Sequence, residues 1–185
     1  MEIRLAAPLQ RDSIVDGDGI RAVVWTQGCT HNCFGCHNPE THDFGGGFLV
    51  DIEELKQEIK SLTEETGVTL SGGDPFCQMV VCREVAKFCH ECGLNVWCYT
   101  GYTFEKLLEM SKNNENVIPF LEEIDVLIDG PFVMKLKSFD VKFRGSKNQR
   151  ILDVKKSLKA GKAVEVKKYQ NKKENDPGKK QEIYI

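Results

Sequence analysis

Residues 22–39 read AVVWTQGCTHNCFGCHNP, and the fold turns on how this stretch divides. Its first six residues, AVVWTQ, are largely apolar and β-rich, the composition of a short buried strand. Gly28 breaks the run, and Cys29, Cys33 and Cys36 follow with gaps of three and two residues and no fourth cysteine nearby. Asn38-Pro39 and the glycines at 45–47 make the next stretch a loop. A strand that ends in a ligand-bearing loop is the pattern of parallel α/β folds, whose sites form at the carboxyl ends of strands.

Working outward, strand and helix signals alternate. Residues 51–61 (DIEELKQEIKS) place Ile52, Leu55 and Ile59 at helical spacing among charges. Strand-like runs at 68–71, 95–100 and 125–129 are separated by helical patterns at 76–92, closed by Gly93, and at 103–111. This alternation predicts βαβ units and an α/β fold with parallel strands. Each strand is followed by residues poorly suited to packing: Gly28-Cys29, Gly72-Gly73-Asp74-Pro75, Gly101, and Asp129-Gly130-Pro131. Four loops are therefore expected to converge on one mouth.

A chain of 185 residues fits one domain with a sizeable core. Hydrophobic residues at 41% and charged residues at 29% exclude a disordered chain and a membrane protein. No apolar run reaches spanning length and no secretory signal is visible, so a cytoplasmic protein is expected, in which clustered cysteines bind metal or do redox work. Charge is lopsided: residues 1–130 carry 9 Lys/Arg against 22 Asp/Glu, and residues 131–185 carry 16 against 6. This suggests a basic face for an anionic ligand or partner. Residues 167–180 (KKYQNKKENDPGKK) read as a solvated tail, because the aromatic and glycine interleaving of nucleic-acid modules is missing; no nucleic acid partner is expected.

Thiolates select zinc, copper(I) and iron–sulfur clusters. Zinc could recruit His31, His37 or His42 as a fourth ligand, giving a binding module without catalysis. Cys33-Phe34-Gly35-Cys36-His37 matches the c-type haem attachment pattern, but no export signal accompanies it. A thioredoxin-like dithiol leaves Cys29 idle and expects a helix where this chain has a loop. The remaining reading is a four-iron cluster with three protein ligands and one iron open to a non-protein group.

This C-x3-C-x2-C pattern resembles the signature of the radical S-adenosylmethionine superfamily. The resemblance implies that the amino and carboxylate groups of S-adenosylmethionine chelate the open iron of a [4Fe-4S] cluster. The reduced cluster then cleaves the sulfonium to a 5′-deoxyadenosyl radical. Ser71-Gly72-Gly73-Asp74-Pro75 resembles the superfamily's motif for the methionine amino group. Residues 12–21 (DSIVDGDGIR), 96–103 (VWCYTGYT), 125–132 (DVLIDGPF) and 143–150 (FRGSKNQR) are similar to the small activating enzymes of anaerobic ribonucleotide reductases, a likeness covering about residues 10–155.

The resemblance implies a partial, laterally open (β/α) barrel over residues 1–160, followed by a lysine-rich tail at 161–185. It implies a reductase glycine as the hydrogen donor and a flavodoxin-like electron donor. Cys29, Cys33 and Cys36 would hold the cluster, and Gly72, Gly73 and Asp74 the methionine amino group. Thr100 and Asp129 are candidates for polar contacts to the ligand or a bound cation; the local alternatives are a helix cap, better supplied by Thr103, and a turn. Arg144 could pair with the ligand carboxylate. Many members place an aromatic residue just before the third cysteine, whereas this chain has Gly35, so Phe34 or His37 is expected to meet the adenine. Rival enzyme readings are another glycyl-radical activase or a small radical enzyme such as a 7-deazapurine-forming synthase.

Cys77, Cys82, Cys89, Cys92 and Cys98 are read as small buried hydrophobes, with Cys82 and Cys89 on one helix face, and His90 as surface. The Asp16-Gly17-Asp18-Gly19 run begins like a calcium loop, but its twelfth position is Gln27, so calcium is not expected.

Overall fold

The structure is a computed structural model and describes residues 1–170. Along the chain run β1 (Glu2–Leu5), β2 (Gln10–Ser13), β3 (Arg21–Thr26), β4 (Phe48–Asp51), α1 (Ile52–Lys60), β5 (Gly67–Gly72), α2 (Met79–Glu91) and β6 (Asn95–Tyr99). They are followed by α3 (Phe104–Met110), α4 (Val117–Glu122), β7 (Val126–Asp129), β8 (Arg150–Asp153) and α5 (Val154–Ala160). The strands form one sheet in the order β4-β1-β3-β5-β6-β7-β8, with β2 also paired to β3.

The four central strands are parallel: Ala22 lies opposite Val68, Val68 opposite Val96, and Trp97 opposite Val126. The outer pairings of β1, β2, β4 and β8 are antiparallel, so the sheet is mixed rather than wholly parallel. The sheet does not close, since its order runs from β4 at one edge to β8 at the other. Antiparallel neighbours need no helical crossover, so β1, β2, β4 and β8 have no strand–helix–strand alternation to announce them in sequence.

Strand periodicity sorts the core into two faces. Val24, Leu70, Val96, Cys98 and Leu127 pack with Leu55, Ile59, Val85, Cys89, Leu107 and Phe120 in the larger cluster. A smaller cluster holds Trp97, Ile128 and Ile151, against which Tyr99, Phe143 and Tyr169 pack. Arg21 is fully buried; its guanidinium donates to Thr69 Oγ1 at 2.6 Å, Asn95 Oδ1 at 2.9 Å and the Val68 carbonyl at 2.6 Å, and lies 5.2 Å from the Trp97 ring centre. Burial lowers its pKa to about 10, so it remains charged at neutral pH.

Capping sets the element ends. Asp51 accepts the Glu53 amide at the start of α1, and Thr103 caps α3. The helix expected from residue 76 begins as a 3-10 turn, Pro75–Gln78, whose first amide is taken by Asp74, and becomes α-helical at Met79. At the far end of α2 Gly93 has φ +77°, its amide donates to the His90 carbonyl, and Leu94 donates to the Cys89 carbonyl, a Schellman ending.

After α5 the chain turns at Gly161 and packs back: Val166 donates to the Ile151 carbonyl, and Tyr169 meets Trp97 and Phe143 with ring centres at 5.9 and 5.6 Å. Residues 171–185 of the expected lysine-rich tail lie outside the described residues. Among the described residues no helix is long and apolar enough to cross a membrane.

Candidate functional site

The cysteine loop leaves β3 through Gly28, whose φ of +97° is in the region that favours glycine. It is tied at its neck: Gly28 donates to the Thr41 carbonyl at 2.8 Å and Cys29 to the His42 carbonyl at 3.2 Å. Within it the Cys36 amide donates to the Cys33 carbonyl, and the Asn38 amide to Cys36 Sγ at 3.4 Å. All three cysteines are free, half-buried, and line one cavity of about 390 Å³. Loops after β3, β5, β6 and β7 converge there, as the alternation predicted.

Gly72 and Gly73 line the same cavity, and the neighbouring backbone explains why neither can carry a side chain. A Cβ on Gly72 would sit 2.4 Å from the Thr26 carbonyl oxygen, and one on Gly73 would sit 2.3 Å from that of Gly28. The Gly73 amide donates to Thr26 and the Asp74 amide to Gly28, which presses the β5 loop onto the neck of the cysteine loop.

Asp74 is 1% exposed. Its Oδ1 accepts the Phe76 amide at 2.9 Å, while Oδ2 accepts Thr100 Oγ1 at 2.9 Å, the Gly101 amide at 3.0 Å and His31 Nε2 at 2.7 Å. Four donors come close to the capacity of one carboxylate. Asp74 thus ties the cysteine loop, the β6 loop and the entrance to α2 to one point. His31 also sets its ring edge-on to Tyr102, with centres 4.4 Å apart. Reading the sequence missed the His31–Asp74 pair; the only signal was a histidine inside the cysteine triplet.

Thr100 lines the cavity and also accepts the Tyr102 amide. Asp129 is fully buried, accepts the Phe104 amide at the start of α3, and pairs with Arg150, which in turn reaches Glu105. Arg144 lines the cavity and donates to the carbonyls of Lys142, Gln149 and Tyr169. Burial lowers its pKa.

Aromatic rings form much of the remaining wall: Trp25, Tyr99, Phe132, Phe143 and His37, whose ring lies 4.8 Å from that of Phe132. His37 is therefore placed on the cavity, whereas Phe34 is 85% exposed and does not line it. Tyr99, Phe132, Phe143 and Gln149 sit in stretches that the resemblance had singled out, but nothing local marks Trp25 as a cavity residue.

In the metal-free chain burial raises the Cys29 and Cys33 thiols, while the backbone at His31 and at Phe132 favours their thiolates. Loading a metal displaces those protons. Among the described residues no three or more His, Cys, Asp or Glu side chains are placed to hold a single metal ion. Of the histidines that zinc could recruit, His31 has Nε2 committed to Asp74, while His37 and His42 line the cavity. Three soft thiols on one closed loop, facing a cavity with an aromatic wall, fit an iron–sulfur cluster as donor set. Of the other cysteines, Cys82, Cys89 and Cys98 are buried as expected, but Cys77 is half-buried and Cys92, at the C-cap of α2, is exposed. His90 is half-buried, with Nε2 3.0 Å from the Glu123 carbonyl.

Comparison with known proteins agrees with this chemistry. A 4Fe-4S single cluster domain family matches residues 15–152. An anaerobic ribonucleoside-triphosphate reductase-activating protein of Haemophilus influenzae is 36% identical over 149 residues, covering 75% of this chain and 90% of its own length. The proteins of the same name from Escherichia coli and from Enterobacteria phage T4 are 35% and 32% identical over 146 residues each, covering 74% of this chain and 90% and 86% of their own lengths. With its three cysteines, its double glycine and its cavity in these places, the chain belongs to the family of anaerobic ribonucleoside-triphosphate reductase-activating proteins.

Proposed function

We propose that this protein is a radical S-adenosylmethionine oxidoreductase that activates an anaerobic ribonucleotide reductase, working in the cytoplasm with a flavodoxin-like electron donor. The observation that carries the reading is the meeting of Cys29, Cys33, Cys36, Gly72, Gly73 and Arg144 on one cavity. Cys29, Cys33 and Cys36 hold a [4Fe-4S] cluster. When bound and reduced, that cluster supplies the electron that splits S-adenosylmethionine, giving the 5′-deoxyadenosyl radical that takes hydrogen from a reductase glycine.

The remaining work falls to the chain itself. The side-chain-free edge of Gly72 and Gly73 lets a ligand amino group approach backbone closely. Arg144 offers a planar cation to a carboxylate. Asp74 acts mainly by holding the β5 loop, the β6 loop and the cysteine loop in register, and Asp129 by fixing the start of α3 beside Thr100. His37 and Phe132 supply a flat apolar surface suited to a purine. The same wall excludes water from a radical that would otherwise be quenched. The unclosed sheet is read as a partial, laterally open (β/α) barrel, a slot able to admit a polypeptide loop.

The test is anaerobic reconstitution with iron and sulfide, reduction with dithionite, and addition of S-adenosylmethionine with and without the reductase. The expected result is 5′-deoxyadenosine in the first case and, with the reductase present, a glycyl radical seen by electron paramagnetic resonance. No deoxyadenosine under strongly reducing conditions would remove the reading.

A further inference from the structure

Besides Phe132, Phe143, Arg144 and Gly145, which line the cavity, the connection from β7 to β8 carries side chains that the site does not use. Residues 136–147 fold into a hairpin, with Lys137 bridged to Ser146, the Lys147 amide donating to the Leu136 carbonyl and the Ser138 amide to that of Gly145. Lys135, Lys137, Lys142 and Lys147 are all exposed on it, together with one carboxylate, Asp140. Among the described residues none of these four lysines forms an ion pair, as is also true of Lys60, Lys112, Lys159, Lys162 and Lys167, whereas Lys56, Lys87, Lys106, Lys155, Lys156 and Lys168 each hold a carboxylate. The four are distinguished by lying together on one short hairpin. Residues 131–147 carry 5 basic against 1 acidic side chain while residues 1–130 carry 9 against 22, so the hairpin is positive where the first 130 residues are acidic. Phe139 near its tip is 93% exposed, and Met134 and Leu136 at its base are 44% and 42% exposed.

The base of this hairpin touches the cysteine loop. A Cβ built on Gly35 would meet Met134 Sδ at 3.1 Å, and Phe132 packs on His37. The ligand and the target glycine need the cavity, so an electron must come from a protein seated on the outer side of the cysteine loop. Unpaired positive charge with exposed apolar side chains at its centre suits a partner whose face is negative and whose rim is polar.

We propose that the exposed side chains of this connection, Lys135, Lys137, Phe139, Lys142 and Lys147, with Phe34 beside them, are the docking surface for an acidic one-electron donor protein. The inference rests on the proposed function, because only that chemistry requires an outside electron. One electron leaves the donor, oxidising it by one unit, and enters the cluster; no bond is made or broken and no proton need move at this surface.

The probe is a flavodoxin of negative net charge. Its oxidised form is titrated calorimetrically into the reconstituted protein and into the K135E/K137E/K142E/K147E variant, with the corresponding glutamine variant guarding against misfolding. A K60E/K112E variant, on exposed lysines elsewhere, is the control. Expected are salt-sensitive binding by the parent and the control, and about a tenfold or greater loss of affinity in the charge-reversed hairpin, the scale of several screened charge contacts. Dithionite-driven deoxyadenosine formation should stay unchanged in every variant. Unchanged flavodoxin affinity in the charge-reversed protein, or no salt-sensitive binding by the parent, would overturn the assignment. So would normal flavodoxin binding with loss of dithionite-driven glycyl radical, which would give the hairpin to the reductase. Failure of the parent to make deoxyadenosine with dithionite would count against the proposed function instead, since docking is read from affinity alone.

Discussion

Asp74 and the glycines before it show how single residues do more here than their motif suggests. Removing the Asp74 carboxylate leaves the buried amides of Phe76 and Gly101 and the Thr100 hydroxyl without their acceptor. Since an orphaned buried donor costs about 1–3 kcal/mol, Asp74→Ala should lower stability by about 3 kcal/mol or more, and Asp74→Asn, which keeps an acceptor, by about half that. Urea unfolding of the metal-free protein measures both, and equal losses would speak against the hub. Gly73→Ala puts a methyl into the Gly28 carbonyl, whereas Gly93→Ala meets nothing within 4 Å and faces only its φ of +77°. Gly93→Ala should therefore cost about 1–2 kcal/mol with normal iron uptake. Gly73→Ala should cost more and also reduce iron bound after reconstitution, because it pushes on the neck of the cysteine loop. The cysteines and glycines were legible because their chemistry is written in spacing. The His31–Asp74 bond was not, because its partners lie 43 residues apart in two separate motifs and nothing in the spacing of either pairs them.

At the scale of elements, the amino terminus of α3 is secured from outside the helix. Asp129 at the end of β7 takes its first amide, and Arg150 at the start of β8 neutralises Asp129. Arg150→Ala should cost about 2–3 kcal/mol, toward the low end for breaking a buried pair because the arginine is itself part-exposed. Glu105→Ala removes an exposed partner of the same arginine and should cost under about 1 kcal/mol. Thermal or urea unfolding of the two variants separates them, and comparable losses would contradict the ranking. Periodicity marks β3, β5, β6 and β7 and, among the helices, α1, α2 and α3. It missed β1, β2, β4, β8 and α5, and the six-residue α4, whose Pro119 masks the helical signal. Short edge strands owe their conformation to the neighbour they pair with, so the parallel centre was legible and the mixed edges were not.

For the molecule as a whole, the buried thiols that are not cluster ligands couple stability to pH. Burial raises the Cys89 thiol to about 12 and holds Cys82 and Cys98 protonated well beyond their ordinary range. In the unfolded chain the same thiols ionise near 9, so above that pH the fold binds more protons than the unfolded chain does. Stability should therefore be level below pH 9 and fall between pH 9 and about 12, by up to about 1.4 kcal/mol per pH unit for each thiol. Unfolding of the metal-free protein under reductant at pH 7.5, 9 and 10 checks this; Cys98→Ala should flatten the slope, and a level profile to pH 10 would contradict it. The central claim concerns the other three cysteines, and Mössbauer spectroscopy of protein reconstituted with iron-57 tests it most directly. The expected result is four irons per chain, one of which changes its signal when S-adenosylmethionine is added, with the spectrum lost in Cys33→Ala and kept in Cys92→Ala. A single metal ion per chain, or four irons of which none responds to S-adenosylmethionine, would contradict it.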